Sequence, residues 1–312
     1  MPEIVTLTIN PSIDISTSVD RIIPIRKLRC VSGQRQAGGG GINVARVVRR
    51  FDGDVLAVYS TGGTTGQLLE RLVDEEGIRS LTVPIAGETR EDFTVFETET
   101  EQEYRFVLPG PQLNEHEWRQ CLDVFTSFGG QARFIVASGS LPPGVPVDFY
   151  GHIAAAAKRA GSKFIVDTSG PPLAAALQAG VYLVKPSLRE LRSLMKAPLE
   201  DQKSQVEASR RLVEEQRAEV VALTLGHLGA LLVTRDRIWL AEAVPVKTMS
   251  AVGAGDSFLG AMVWALAAGK TVEDAFRYGV AAGSAALLTP GTDLCQRDDV
   301  ERLLGQVILQ IL

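Results

Sequence analysis

Short apolar runs rich in β-branched residues recur along this chain, and from Gly40 onward they alternate with stretches of helical periodicity. Strands are expected at Ile4 to Ile9, Val55 to Tyr59, Phe134 to Ala137, Lys163 to Val166, Val181 to Val184 and Val220 to Leu225. Helices are expected from Ile42 and over Gln67 to Glu76. Alternation of this kind implies a parallel sheet, so the fold class is α/β, a central and mostly parallel sheet with helices on both faces. Two segments break the rhythm, Ser16 to Ala37 and Glu91 to Val107, the second with alternating Phe93, Val95, Tyr104 and Phe106. They predict a small separate sheet. Because they are inserted between elements of the main sheet, they read as a lid built from residues of about 15–37 and 90–108 on a single domain spanning 1–312.

A chain of 312 residues that is 45% hydrophobic and 22% charged can bury one large core or two smaller ones. Its net charge of -5 argues against a nucleic-acid binder, which needs a basic surface to displace counterions, so any phosphate affinity must be local. Cys30, Cys121 and Cys295 form no C-x-x-C pair, which suggests neither a disulfide framework nor a zinc site. No apolar run is long enough to span a bilayer and the amino terminus lacks signal-peptide character, so a cytoplasmic protein with no membrane partner is expected.

The stretch Thr248 to Phe258 brings Asp256 to the first turn of an expected helix behind Gly253, Ala254 and Gly255. Helix N-termini expose unpaired N–H groups, and these three amides can face an anion without side-chain obstruction. A carboxylate beside them repels phosphate but suits a base that takes a proton from an attacking hydroxyl. A plain helix cap is the competing reading of the same peptide. The run Gly38 to Gly41 enters its helix with no polar spacer, which favours a backbone brought close to a ligand over a flexible linker, with Asn43 pointing the same way. Gly269-Lys270-Thr271 lacks the upstream glycine of a P-loop, its place being taken by Trp264, and both Gly-x-Gly pairs lack the third glycine of a dinucleotide fingerprint. His116, His152 and His227 stand apart and read as ordinary surface or core residues. Lys27, Arg29, Arg90 and Arg105 gather basic charge in the expected lid, either solvated or aimed at an anionic substrate.

Residues Gly38 to Ala45 and Val252 to Phe258 resemble the two signatures of the PfkB family of ribokinase-like sugar kinases, in the right order and spacing. Thr6 to Asp14, Gly33 to Asn43, Tyr104 to Phe106 and Ser138 to Gly144 resemble its sugar-phosphate branch, and Lys27 to Cys30 with Gly279 to Ala286 look like the 6-phosphofructokinases of that branch. The resemblance implies a ribokinase-like fold and ATP-dependent phosphoryl transfer to a ketohexose phosphate, with fructose 6-phosphate the expected acceptor and the 1-phosphofructokinase and tagatose-6-phosphate kinase reactions as alternatives. It implies that Asp256 is the base and that Gly253, Ala254 and Gly255 stabilise the transferring group. Asp14, Gly38, Gly39, Asn43 and Gly139 would hold the sugar, and Lys27, Arg29 and Arg90 its phosphate. Lys185, Ser187, Thr224, Gly226 and Gly229 would serve ATP, and Glu190 the water shell of Mg²⁺. Lys185 before Pro186 also reads as a strand end, and Gly226 with Gly229 as a hairpin turn.

Ser250, Val252 and Ala286 would border a site for K⁺. Two departures from the pattern stand out: Ser187 where asparagine is usual, and Asp293 where arginine is familiar. The family also implies a homodimer formed through the lids. A kinase for a neutral sugar would not need Lys27, Arg29 and Arg90. A non-catalytic sugar-phosphate sensor would have little reason to keep Asp256 with its glycines, and a dehydrogenase lacks its fingerprint.

Overall fold

Ile4–Thr8 and Phe134–Ser138 are buried at every position, as strands covered by helices on both faces must be. The computed structural model describes residues 2–31 and 33–312. The first half of the chain forms β1 (Ile4–Thr8), β2 (Ser12–Val19), β3 (Gln34–Gly38), α1 (Gly40–Arg50), β4 (Val55–Thr61), α2 (Gly63–Glu75), β5 (Arg79–Pro84), β6 (Arg90–Glu97) and β7 (Gln102–Phe106). There follow α3 (Glu115–Ser127), β8 (Phe134–Ser138), α4 (Phe149–Arg159), β9 (Lys163–Asp167), α5 (Gly170–Ala179), β10 (Val181–Val184), α6 (Leu188–Met195) and α7 (Gln202–Glu214). The last part holds β11 (Ala218–Thr224), β12 (Ala230–Val233), β13 (Ile238–Ala241), α8 (Ala254–Ala267), α9 (Val272–Ala286), α10 (Arg297–Leu304) and β14 (Leu309–Ile311).

Among the described residues, ten strands make the main sheet in the order β14-β13-β12-β11-β10-β9-β8-β1-β4-β5. The strands from β11 to β5 in that order pair in parallel, and β12, β13 and β14 extend the edge antiparallel. Alternate residues feed two cores: Ile4, Val136, Ile165 and Leu183 face α1, α8 and α9, whereas Val5, Ile135, Val166 and Val184 face α4 and α5. Strand order reverses between β1 and β8, and at such a switch point the carboxyl ends of parallel strands open a crevice.

The expected lid is a four-stranded sheet in the order β3-β2-β6-β7, and it begins at Ser12, a few residues before the expected start. β2 and β3 form one hairpin, β6 and β7 another, and β2 joins β6 in parallel with Ser12 opposite Arg90. Helix α8 is apolar on nearly all sides and is buried between α1 and α9, so its amino terminus is held by packing on two sides. None of the described helices is long and apolar enough to cross a membrane.

Candidate active site

The glycine run crosses the crevice at the switch point. A Cβ on Gly40 would meet Ser138 at the end of β8, and one on Gly41 would meet Thr8 and, at 2.6 Å, the Leu7 carbonyl of β1. Gly39, with φ of 106°, caps α1 in a conformation that side chains avoid. The run is therefore a close backbone approach, and the linker reading falls.

Opposite it, Gly253 caps α8 with φ of 75° and offers no side chain to the first turn, where Ala254 N makes only a long bond to the Ala251 carbonyl at 3.5 Å, so the turn can receive an anion. Asp256 stands in that first turn without acting as its cap. Its Oδ2 accepts a hydrogen bond from Asn43 Nδ2 at 2.9 Å. The contact follows from helix packing. A Cβ on Gly260, one turn below Asp256, would lie 2.7 Å from Val47 Cβ, one turn below Asn43, so only glycine lets the two helices come this close. Burial pushes the Asp256 carboxyl above its ordinary value, opposed by the Asn43 hydrogen bond and by Lys185, Arg105 and Arg46.

A cleft of about 310 Å³ joins these parts, lined among others by Asp14, Gly39, Asn43, Arg90, Arg105 and Asp256. Asp14 Oδ1 accepts from Ser12 Oγ at 2.7 Å, and burial raises its carboxyl despite that bond, with Asp92 adding to the rise. Gly38 leaves room for it, since a Cβ there would overlap the Asp14 carboxylate. Arg90 is only 10% exposed; it pairs with Asp92 at 3.1 Å and donates to the carbonyls of Leu108 and Asn10. Gly139 lies beside Gly40 at the end of β8, and its carbonyl accepts from Tyr150. Lys27 and Arg29 are not in the cleft: they are exposed on the stretch of residues 20–31 that follows β2, whose turn carries them into solvent. A larger hollow, about 1090 Å³, opens at the amino edge of the sheet near Lys158, Tyr182 and Arg235. The crossover helices turn their carboxyl ends to that edge, so the smaller cleft is the place for phosphate chemistry.

On the other side of α8, Lys185 directly follows β10 and is buried, its Nζ 3.2 Å from Asp167 Oδ2. Burial alone would lower the lysine, yet Asp167, Glu190 and Asp256 together hold it above its usual value. Burial drives Asp167 up to about 7, eased by Lys185 and reinforced by Asp256 and Glu190. Three carboxylates thus share one ammonium, an excess of negative charge that suits a divalent cation. No cluster of three or more metal-ligating side chains exists among the described residues. Ser187 and Glu190 form a capping box at the start of α6: Ser187 N donates to Glu190 Oε2 at 2.8 Å, and Glu190 N to Ser187 Oγ at 3.3 Å. Serine therefore replaces asparagine as a competent cap. Thr224 N donates to the Pro186 carbonyl, and Gly226 and Gly229 flank a 3₁₀ turn linking β11 to β12, so the hairpin reading describes the backbone there.

Ser250 and Val252 lie on a loop joined to the end of α9 by Met249 N donating to the Leu287 carbonyl at 2.7 Å, which brings them near Ala286. The Ala286 carbonyl already accepts from Thr289 Oγ1 at 2.8 Å. Ser250 Oγ accepts from Val252 N and donates to Glu103 Oε1 of the lid. Asp293 pairs with Arg50 of α1 at 2.9 Å, which explains its acidic character at that position. Sequence reasoning missed Asp167 and Arg46. A polar residue ending an otherwise apolar parallel strand was the available signal for Asp167, and Arg46, inside a helix of ordinary pattern, gave none.

Residues 5–299 match the pfkB family carbohydrate kinase. The chain belongs to that family. It is 46% identical over 301 residues to an ATP-dependent 6-phosphofructokinase isozyme 2 of Mycobacterium tuberculosis, covering 96% of this chain and 88% of the relative. Among solved structures, Escherichia coli phosphofructokinase-2 in complex with potassium is 40% identical with a TM-score of 0.93, over 98% of this chain and 99% of the other. The same enzyme in complex with fructose-6-phosphate gives 39%, 0.92 and the same coverage. The ribokinase-like α/β fold and the ATP-dependent sugar kinase class expected for the chain therefore hold, and this kinase presents the two family signatures face to face across one cleft.

Proposed function

We propose that this kinase transfers the ATP γ-phosphoryl group to the 1-hydroxyl of fructose 6-phosphate, giving fructose 1,6-bisphosphate. The observation that carries the reading is the Asp256 carboxylate, held by Asn43 beside uncapped amides and open to a cleft that also contains Asp14 and two arginines. Asp256 takes the proton of the attacking hydroxyl, and the amides of Gly253, Ala254 and Gly255 stabilise charge on the transferring group. Asp14, Gly39 and Gly139 bind the sugar, Arg90 and Arg105 its phosphate. Lys27 and Arg29 join them when the stretch that carries them, residues 20–31, folds over the cleft. Lys185 meets the ATP phosphates, and Ser187, Thr224, Gly226 and Gly229 the rest of the nucleotide. Glu190 and Asp167 would hold the water shell of a Mg²⁺ ion bound with ATP, and the ion would supply further neutralisation of phosphoryl charge. Ser250, Val252 and Ala286 would border a monovalent cation, and no step depends on it.

We infer a homodimer paired through the lids, supported by an apolar lid face of Ile15, Phe93, Val95 and Phe106 on which Phe93 is 38% and Phe106 54% exposed.

The deciding experiment compares kcat/KM for ATP consumption with fructose 6-phosphate, fructose 1-phosphate, tagatose 6-phosphate and fructose. Fructose 6-phosphate is expected to lead. Another ester in front would keep the mechanism and change the substrate, and free fructose in front would refute the phosphate-binding role of the lid. Asp256→Asn should retain substrate affinity and lose roughly 10²- to 10⁴-fold in turnover. Near-wild-type turnover would sink the base assignment.

A further inference from the structure

Asn43 lies between two groups that make opposite demands on it. Its Nδ2 donates to Asp256 Oδ2 at 2.9 Å, and its Oδ1 accepts from Arg46 Nη1 at 3.2 Å. Arg46, one turn further along α1, is 2% exposed; the same Nη1 donates to the Ala37 carbonyl at 3.1 Å, and its Nε lies 2.6 Å from Glu76 Oε1. A primary amide can turn either end towards a neighbour. A guanidinium has only donors, however, so the end of Asn43 that faces Arg46 must be its oxygen. The nitrogen is then committed to Asp256. The charge of Arg46 cannot be relieved inside the protein, and Glu76, just past the end of α2 and 29% exposed, is its counter-ion and the link to the surface.

We propose that Arg46 is a positioning residue for phosphoryl transfer: by taking Asn43 Oδ1 it fixes the amide so that its NH₂ group holds and aims the Asp256 carboxylate. The inference rests on Asp256 being the base. An amide donor favours the ionised carboxylate and an amide oxygen the protonated one, so a freed Asn43 can turn its oxygen to the protonated acid and remove the bias against that form. The other charged groups facing Asp256 are Lys185 after β10, Arg105 on β7 and Asp167 at the end of β9, and none of them touches Asn43.

The test has a kinetic arm and a spectroscopic one. In Arg46→Met the acid limb of the kcat profile should move up by about 1 pH unit. Well down the acid limb kcat should fall by up to tenfold and recover on the plateau, with KM for both substrates within about twofold. Arg46→Lys, which restores a donor, should recover most of the profile. An unchanged profile in folded Arg46→Met overturns the proposal, as does a loss that is equal at all pH values and not rescued by lysine.

The spectroscopic arm reads the Asn43 amide in the chain that keeps Arg46, so it survives an Arg46 variant that fails to fold. Asn10, Asn43 and Asn114 are the three asparagines, so a ¹⁵N-asparagine label yields three side-chain NH₂ pairs. The Asn43 pair, assigned from an Asn43→Ser sample, should move as Asp256 titrates and stop moving in Asp256→Asn. A pair that ignores Asp256 overturns the proposal. High turnover in Asp256→Asn would instead remove the base assignment and leave this titration intact, so the two failures are separable.

Discussion

Replacing Asp167 by asparagine should flatten the dependence of stability on pH. Burial carries its carboxyl from an ordinary 3.8 to about 7, a shift of about 3 units, or ~4 kcal/mol at 1.36 kcal/mol per unit. The side chain is 14% exposed, so solvent relieves little of this. Between pH 4 and 7 the folded protein keeps a proton that the unfolded chain releases, so stability falls as pH rises through that window and levels off above it. Lys185 moves the other way, raised in the folded state, and its contribution is fully present below about pH 10. It leaves the window untouched. The amide of the variant cannot ionise, and Lys185 keeps Glu190 and Asp256 as counter-charges. The stability of Asp167→Asn relative to the parent should therefore rise by ~3 kcal/mol between pH 4.5 and 8. Urea unfolding at half-unit pH steps, with both proteins in the same buffers, reads the difference directly. Curves that stay parallel within ~0.5 kcal/mol would refute the burial argument, because nothing else distinguishes the two chains across that range.

Two further outcomes follow from the geometry. In Gly38→Ala the new methyl overlaps the Asp14 carboxylate, and an overpacking cost of about 1 to 3 kcal/mol borne at the sugar side should raise KM for the sugar phosphate roughly 10- to 100-fold while KM for ATP stays put. Equal changes in both would show that the run serves folding and not the sugar. Phe93→Asp places a charge on the apolar lid face and should shift the assembly towards monomer in light scattering, without changing the circular dichroism spectrum. An unaltered mass would move the interface elsewhere.

The parallel strands were legible because each is a short apolar run with a sharp end: Val181–Val184 is found as expected, and β1, β8 and β9 differ from expectation by one residue at the carboxyl end. That residue matters, since at β9 it is Asp167, a polar side chain outside the apolar pattern yet within the ladder. Of the antiparallel edge of β12, β13 and β14, only the turn at Gly226 and Gly229 was anticipated. Its strands are three or four residues long, too short for a period to show. At the site, the two glycine signatures were legible as backbone devices, but the meeting of Asn43 with Asp256 depends on how α1 and α8 cross. Spacing along one chain carries no information about such a crossing, and Gly260, the residue that permits it, looks like any helical glycine. That Lys27 and Arg29 stand outside the cleft was hidden for a related reason, since position in a lid segment does not say which way the chain turns.

The parallel pairing of β2 with β6 bears on how this protein comes to exist as well as on what it does. Its two strands are separated by β3 of the lid and then by α1, β4, α2 and β5, a whole part of the main sheet, so the lid cannot assemble until that part has brought its ends together. Each hairpin alone is a two-stranded ribbon of marginal stability. The lid is therefore no detachable module: cut out or grafted onto another scaffold it should not fold. During synthesis it should form late, after the first crossover unit has closed. A change in substrate preference by this route must come from point substitutions within the sheet, because the chain offers no seam along which a new lid could be exchanged for the old.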